Sequence, residues 1–189
     1  MNKNNPKKIW SKAIKIIPGG NGLLSKRPER FSNTFWPTYF SKSKNIYLWD
    51  LNGTKYTDMS IMGIGTATLG YTNKFIDTKV ISAIKKGVNT TLNSLDEYNF
   101  AKKILQRDSF ADQVKFAKSG GEAMSMAIRI ARARNGKSRI AFSGYHGWQD
   151  WYLAANLKNK KNLNNHLLKD LVPLGIPKEL RGTVIPFTF

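Results

Sequence analysis

Two short runs in this sequence carry side chains that could hold a ligand. Ser119-Gly120-Gly121-Glu122 joins a hydroxyl, two residues without side chains and a carboxylate. Where a strand feeds a helix, free backbone N–H groups and the positive end of the helix dipole converge on one point, which suits a phosphate. Glycines let the backbone approach an anion closely, and Ser119 adds a hydroxyl donor. The same turn could also serve a strand-to-helix connection through its geometry alone. Glu122 complements the helix dipole, and it would partly compete with an anionic ligand.

The second run, Ser143-Gly144-Tyr145-His146-Gly147-Trp148, follows a second strand-like segment. That places an aromatic ring and an imidazole at the carboxyl end of a sheet, where α/β folds bind ligands. Tyr145 can stack on a flat heteroaromatic ring, and His146 can hydrogen-bond or brace the pocket. Both could equally be packed loop residues.

The elements that would position these runs follow from periodicity. Ile9, Trp10, Ala13, Ile16 and Ile17 recur at helical spacing over residues 6–17, and Pro18-Gly19-Gly20 stops the helix. Residues 21–43 show no sustained period and read as an extended, irregular arm. Tyr47-Leu48-Trp49-Asp50-Leu51 and Thr54-Lys55-Tyr56-Thr57-Asp58 flank Asn52-Gly53, which predicts a hairpin with a type I′ turn. Phe75, Ile76, Val80, Ala83 and Ile84 predict a helix capped by Asn73 and closed by Gly87. A further helix over residues 96–107 should bury Phe100, Ala101, Ile104 and Leu105, with Ser94 or Asp96 as its cap.

Residues 114–117 are strand-like, Ser119-Gly120-Gly121 is a tight turn, and Ala123, Met126, Ala127, Ile130 and Ala131 form a helical stripe ending near Gly136. Residues 139–142 are then a second strand. Strand, helix, strand with short connections is a βαβ unit with parallel strands, so the fold class is α/β. Two strands of a central parallel sheet are visible, with the β-favouring run 183–189 a possible third. That is too few for a finished sheet, so the chain reads as truncated.

Composition narrows the classes. Hydrophobic residues make up 41% of the chain, enough to drive folding. No run approaches the length of a membrane span and the start lacks the apolar core of a secretory signal, so a soluble cytoplasmic protein without membrane partners is expected. The chain has no cysteine and two histidines, His146 and His166, which argues against a metal site. The formal charge of +19 raises nucleic acid as a partner. The lysines are interspersed with asparagine and isoleucine along the whole chain, however, and no RNP, zinc-finger or helix-turn-helix pattern is present.

The two site runs, taken together with Trp10 through Ile17, Pro18-Gly19-Gly20, Tyr47-Leu48-Trp49-Asp50, Gly53, Tyr56-Thr57-Asp58, Leu69-Gly70 and Ala127 through Ala133, resemble the class III aminotransferases. These enzymes use pyridoxal 5′-phosphate (PLP), and glutamate-1-semialdehyde aminomutases are among them. The resemblance implies a fold type I PLP-dependent transferase. Residues 1–60 would form an amino-terminal helix, arm and hairpin, and residues 61–189 the first part of the large PLP-binding domain.

It also implies roles. Ser119, Gly120 and Gly121 would bind the cofactor phosphate, Tyr145 would stack on its ring, and His146 would support it. Gly121 stands where the family has Thr or Ser, so one hydroxyl donor to the phosphate would be missing. Arg27, in the glycine-rich run 19–30, would pair with a substrate carboxylate, although an exposed arginine in a basic arm is an equal reading. The substrate would be a small amino-acid or amino-carbonyl compound, and the complete protein a homodimer. The family's PLP-binding lysine and the aspartate that pairs with the ring nitrogen are expected further along than Phe189, so no catalytic residue is assigned. The alternatives are a non-catalytic chain that pairs with a complete subunit and, more remotely, a basic nucleic-acid-binding module.

Overall fold

A computed structural model describes residues 5–32, 34–60, 62–166 and 169–189. Residues 1–4, Asn33, Ile61, Leu167 and Leu168 lie outside that description. The chain packs as two units, Met1–Leu92 and Asn93–Phe189.

In the first unit, helix α1 spans Pro6–Ile16. Asn5 caps it, its side-chain oxygen accepting from the N–H groups of Lys7 at 3.0 Å and Lys8 at 3.3 Å, and Pro6 at the first helical position gives up no needed donor. The helix ends into Gly19 and Gly20, whose φ values of +74° and +80° turn the chain back. Trp10 then lies against Gly20, where an added Cβ would sit 2.4 Å from the indole, and its N–H donates to Glu29 at 3.3 Å.

Three antiparallel strands follow: β1 (Phe40–Lys44), β2 (Tyr47–Asp50) and β3 (Lys55–Thr57), in the order β1-β2-β3. The expected hairpin is β2-β3, with Leu48 opposite Tyr56. Its turn differs from the type I′ expectation, because Gly53 at φ +85° is the one residue of the Asn52-Gly53 pair with positive φ. The Asp50 carboxylate accounts for this. It accepts the N–H groups of Asn52 at 2.8 Å and Thr54 at 2.9 Å, which fixes a three-residue loop ending in a left-handed glycine. The end of the expected irregular arm is also ordered differently, since Phe40–Lys44 pairs with β2 as a third strand. Helix α2 (Lys74–Lys86) has the predicted Asn73 cap and Gly87 terminus. Its apolar stripe is solvent-exposed, with Phe75 70% and Ile84 58% accessible.

In the second unit, α3 (Leu95–Arg107) is capped by Ser94, which accepts from Asp96 N–H at 3.1 Å. Phe100 was expected to be buried and is 57% exposed, stacked on Phe116. Helix α4 (Gly120–Asn135) ends at Gly136 in the left-handed conformation. Strand β4 (Ile140–Phe142), helix α5 (Asp150–Leu153) and strand β5 (Val184–Pro186) complete the unit.

The expected strand 114–117 is extended backbone and is not paired in a ladder among the described residues. The parallel partner of β4 is β5, with Ile140 opposite Val184 and Phe142 opposite Pro186. The βαβ unit therefore does not close between 114–117 and 139–142. Instead the parallel crossover runs through residues 143–183, and the carboxyl-terminal run supplies the second strand.

The core of this unit is Ile128, Phe142, Trp151, Tyr152, Ala154, Ala155, Leu163 and Val184. It selects a different face of α4 from the one the periodicity suggested. Ile128 is buried and Met124 packs beside it, while Ile130 is 61% exposed. The aromatic cover comes from the crossover, on the Ile128 side. Asn156 is buried too, and both ends of its amide are used: it donates to Leu171 C=O at 2.7 Å and accepts from Leu163 N–H at 3.0 Å.

Candidate functional site

The turn at 118–122 is organised by a capping box. The Ser119 hydroxyl accepts the N–H of Glu122 at 3.3 Å, and the Glu122 carboxylate accepts the N–H groups of Ser119 at 3.0 Å and Lys118 at 2.9 Å. This reciprocal pairing starts α4 at Gly120 and satisfies three donors. The N–H groups of Gly120 and Gly121 meet no acceptor among the described residues. They are the free donors of the first helical turn. A Cβ added at Gly120 would touch nothing within 4 Å, so the backbone there faces open space.

Ser119 thus acts first as a cap. Its oxygen is engaged by Glu122 N–H, and its own O–H remains free to donate. Glu122 is turned back onto the backbone, but its charge stays at the helix start.

The second run is folded against this turn. A Cβ added at Gly147 would lie 3.4 Å from the Gly121 Cα, and Gly147 has φ +103°. Only glycine suits both conditions. The side chain of Gln149 lies over the same place, its Nε2 being 2.1 Å from where a Cβ of Gly121 would stand. Trp151 donates its indole N–H to the Ser125 hydroxyl at 3.2 Å, and Ser125 donates to the Gly121 carbonyl at 2.9 Å. The two motifs are therefore brought together through Gly147 of the second run and through three residues the sequence reading did not single out: Gln149, Ser125 and Trp151.

Tyr145 is 39% exposed and meets the ring of Tyr152 edge to face at 5.7 Å. Tyr152 is fully buried, and its hydroxyl has no partner among the described residues. Burial pushes its phenol up to about 12, with a smaller contribution from Tyr145. His146 packs against Phe142 at 5.9 Å and Trp151 at 6.0 Å, and its Nε2 is 2.7 Å from the Ser143 carbonyl. That contact places the proton on Nε2 and ties the imidazole to its own loop. His146 is a brace for the Tyr145 loop in this arrangement.

Arg27 belongs to the unit Met1–Leu92, while the other candidates belong to Asn93–Phe189. Its guanidinium lies over Gly19, where an added Cβ would be 1.7 Å from a terminal nitrogen, and its Nε is buried without an acceptor among the described residues. Arg27 is half-buried beside Gly19.

Comparison with known proteins follows from this geometry. The family model for the class-III aminotransferases matches residues 30–180. A 3-aminobutyryl-CoA aminotransferase of Cloacimonas acidaminovorans is 33% identical over 144 residues, covering 76% of this chain and 34% of the relative. A glutamate-1-semialdehyde 2,1-aminomutase of Wigglesworthia glossinidia brevipalpis is 35% identical over 183 residues, covering 94% of this chain and 40% of the relative. The structure is similar to an omega-transaminase from Sphaerobacter thermophilus, with a TM-score of 0.78 and 24% identity, covering 100% of this chain and 42% of that one. The fold is that of the fold type I PLP-dependent transferases. The chain belongs to the class-III aminotransferase family, and it spans roughly two fifths or less of the length of these relatives.

Proposed function

We propose that this chain is part of a PLP-dependent aminotransferase or aminomutase and contributes the phosphate end of the cofactor site. The observation that carries this reading is the pair of free N–H donors of Gly120 and Gly121 at the start of a 16-residue helix, with open space beside Gly120. Family membership supports it. A similar solved structure, a transaminase with PLP bound, supports the choice of cofactor.

The residues present fit the group. Gly120 and Gly121 would hold the phosphate through their N–H groups, and Ser119 would add its remaining O–H. Tyr145 would lie against the ring, and His146 would keep the Tyr145 loop in place. When bound, PLP supplies an aldehyde that takes up an amino group and a ring that withdraws electrons from the substrate's α-carbon. The chain's own part is to bind the phosphate, orient the ring and exclude water from one side of it. Arg27 would receive a substrate carboxylate.

By the family resemblance we infer that the covalent lysine and the acid facing the ring nitrogen are not among the residues assigned here, whose part would be binding. In the complete subunit we keep a boundary near residue 60 between an amino-terminal part and the large domain, a homodimeric assembly and a cytoplasmic location. Among the described residues no helix is long and apolar enough to cross a membrane.

The test is equilibrium dialysis of the chain against PLP and against pyridoxal, which lacks the phosphate. Preference for PLP, with no single lysine marked after borohydride reduction, is the expected result. Equal binding of the two, or none, rejects the phosphate-site reading.

A further inference from the structure

Gly121 is helical and carries no positive φ, so its backbone conformation does not require glycine. Glycine near a helix start is nevertheless less favourable than most residues. What requires it is space. A Cβ there would lie 2.1 Å from Nε2 of Gln149 and 2.8 Å from both Cδ and Oε1. Gly147 makes room on the other side, its added Cβ falling 2.5 Å from Oε1 of the same amide. Two glycines therefore open a slot, and the Gln149 carboxamide fills it.

The carboxamide is not used inside the protein. Oε1 is buried without a hydrogen-bond partner, and Nε2 meets no acceptor among the described residues. A side chain with three rotatable bonds loses freedom when fixed this way, and Oε1 loses water. Neither loss is offset by a contact the structure contains. The amide instead stands beside Gly121, one of the two residues with a free N–H group, and its NH2 group is a further donor at the start of α4.

We propose that Gln149 is a binding residue of this site, its carboxamide NH2 donating to the cofactor phosphate from the space that a side chain at position 121 would otherwise fill. The proposal rests on the reading of the α4 start as the phosphate site. It also accounts for Gly121, because the donor lost with a hydroxyl at that position is supplied from the neighbouring loop. Gln149 makes no contact with reacting atoms in this scheme. It sets affinity for the phosphate group and leaves the ring end untouched.

The experiment titrates the chain with PLP and with pyridoxal, comparing the parent with Gln149→Met, which keeps length without a donor, and Gln149→Glu. PLP affinity should fall roughly tenfold in Gln149→Met and further in Gln149→Glu, with pyridoxal binding unchanged. Two double variants separate donor from space: Gly121→Ser with Gln149→Ala should recover affinity to within about threefold of the parent, whereas Gly121→Ala with Gln149→Ala should not. These doubles do not depend on the folding of Gln149→Met. A parent that prefers PLP, together with a Gln149→Met variant that keeps that preference, overturns this inference alone. Equal recovery in both doubles also overturns it, since the slot would then need only filling. A parent with no preference for PLP over pyridoxal removes the phosphate site, and this role with it.

Discussion

The indole N–H of Trp151 donates to the hydroxyl of Ser125 at 3.2 Å, and that hydroxyl donates in turn to the Gly121 carbonyl at 2.9 Å. One serine thus links the crossover to the first turn of α4. Ser125→Ala leaves the N–H of the buried Trp151 without its acceptor and removes the second donor to the Gly121 carbonyl. A loss of about 1–2 kcal/mol is expected, read as a lower urea midpoint with an unchanged slope.

Tyr152 offers the opposite case. Its ring fills the core, but its hydroxyl is buried without a partner. Tyr152→Phe keeps the ring and removes the orphan, so a gain of about 1 kcal/mol is expected by the same measurement.

The same phenol has a signature at high pH. Burial, with a smaller effect from Tyr145, raises Tyr152 from 10.0 to about 12. Burial and a hydrogen bond to the Asp58 carboxylate raise Tyr71 to about 12 as well. Between these values the unfolded chain has lost the proton and the folded chain retains it. Stability is therefore complete below about pH 10 and falls as pH rises towards 12. Absorbance of tyrosinate should show a late-titrating group that Tyr152→Phe removes, and the alkaline loss of the second unit should shrink in that variant.

The legible parts of this molecule were the local ones. The capping residues Asn73 and Ser94, the glycine termini at Gly87 and Gly136 and the β2-β3 hairpin depend on neighbours a few positions away. The strand at 114–117 failed for the opposite reason, because a ladder needs a partner from elsewhere in the chain. The face of α4 was misjudged likewise, since alanines and isoleucines occur all round it and the cover from Trp151 and Phe142 decides which side is buried. The start of α4 was legible because Ser-Gly-Gly-Glu ahead of a helical stripe is itself a local pattern. Gln149 was not, because nothing in its own neighbourhood shows that its amide lies over Gly121, 28 positions earlier. The unneeded glycine at 121 was the trace it left.

Glu122 holds the helix start through its carboxylate, and it also places a negative charge beside the proposed phosphate. Glu122→Gln keeps an acceptor for the N–H groups of Lys118 and Ser119 and removes that charge. Affinity for PLP should rise roughly threefold, an effect that weakens with added salt. Calorimetric titration at low and high ionic strength checks it, and lower affinity in the variant would count against an anion at this point.

Gly120 gives the most direct test of the cup. An added Cβ there meets nothing within 4 Å, and no positive φ marks the position, so a larger residue fits the fold. A branched side chain there would crowd the start of α4, where the two free N–H groups lie. Gly120→Val should therefore leave the melting temperature close to that of the parent, while PLP affinity drops by about tenfold or more. Glu179→Ala, in a short turn near the end of the crossover, serves as the control and should change neither quantity. A Gly120→Val variant that binds PLP as the parent does would leave the Ser-Gly-Gly turn as ordinary α/β architecture. Loss of binding with an unchanged melt separates the cup from the scaffold, because the substitution then blocks a site without disturbing what builds it.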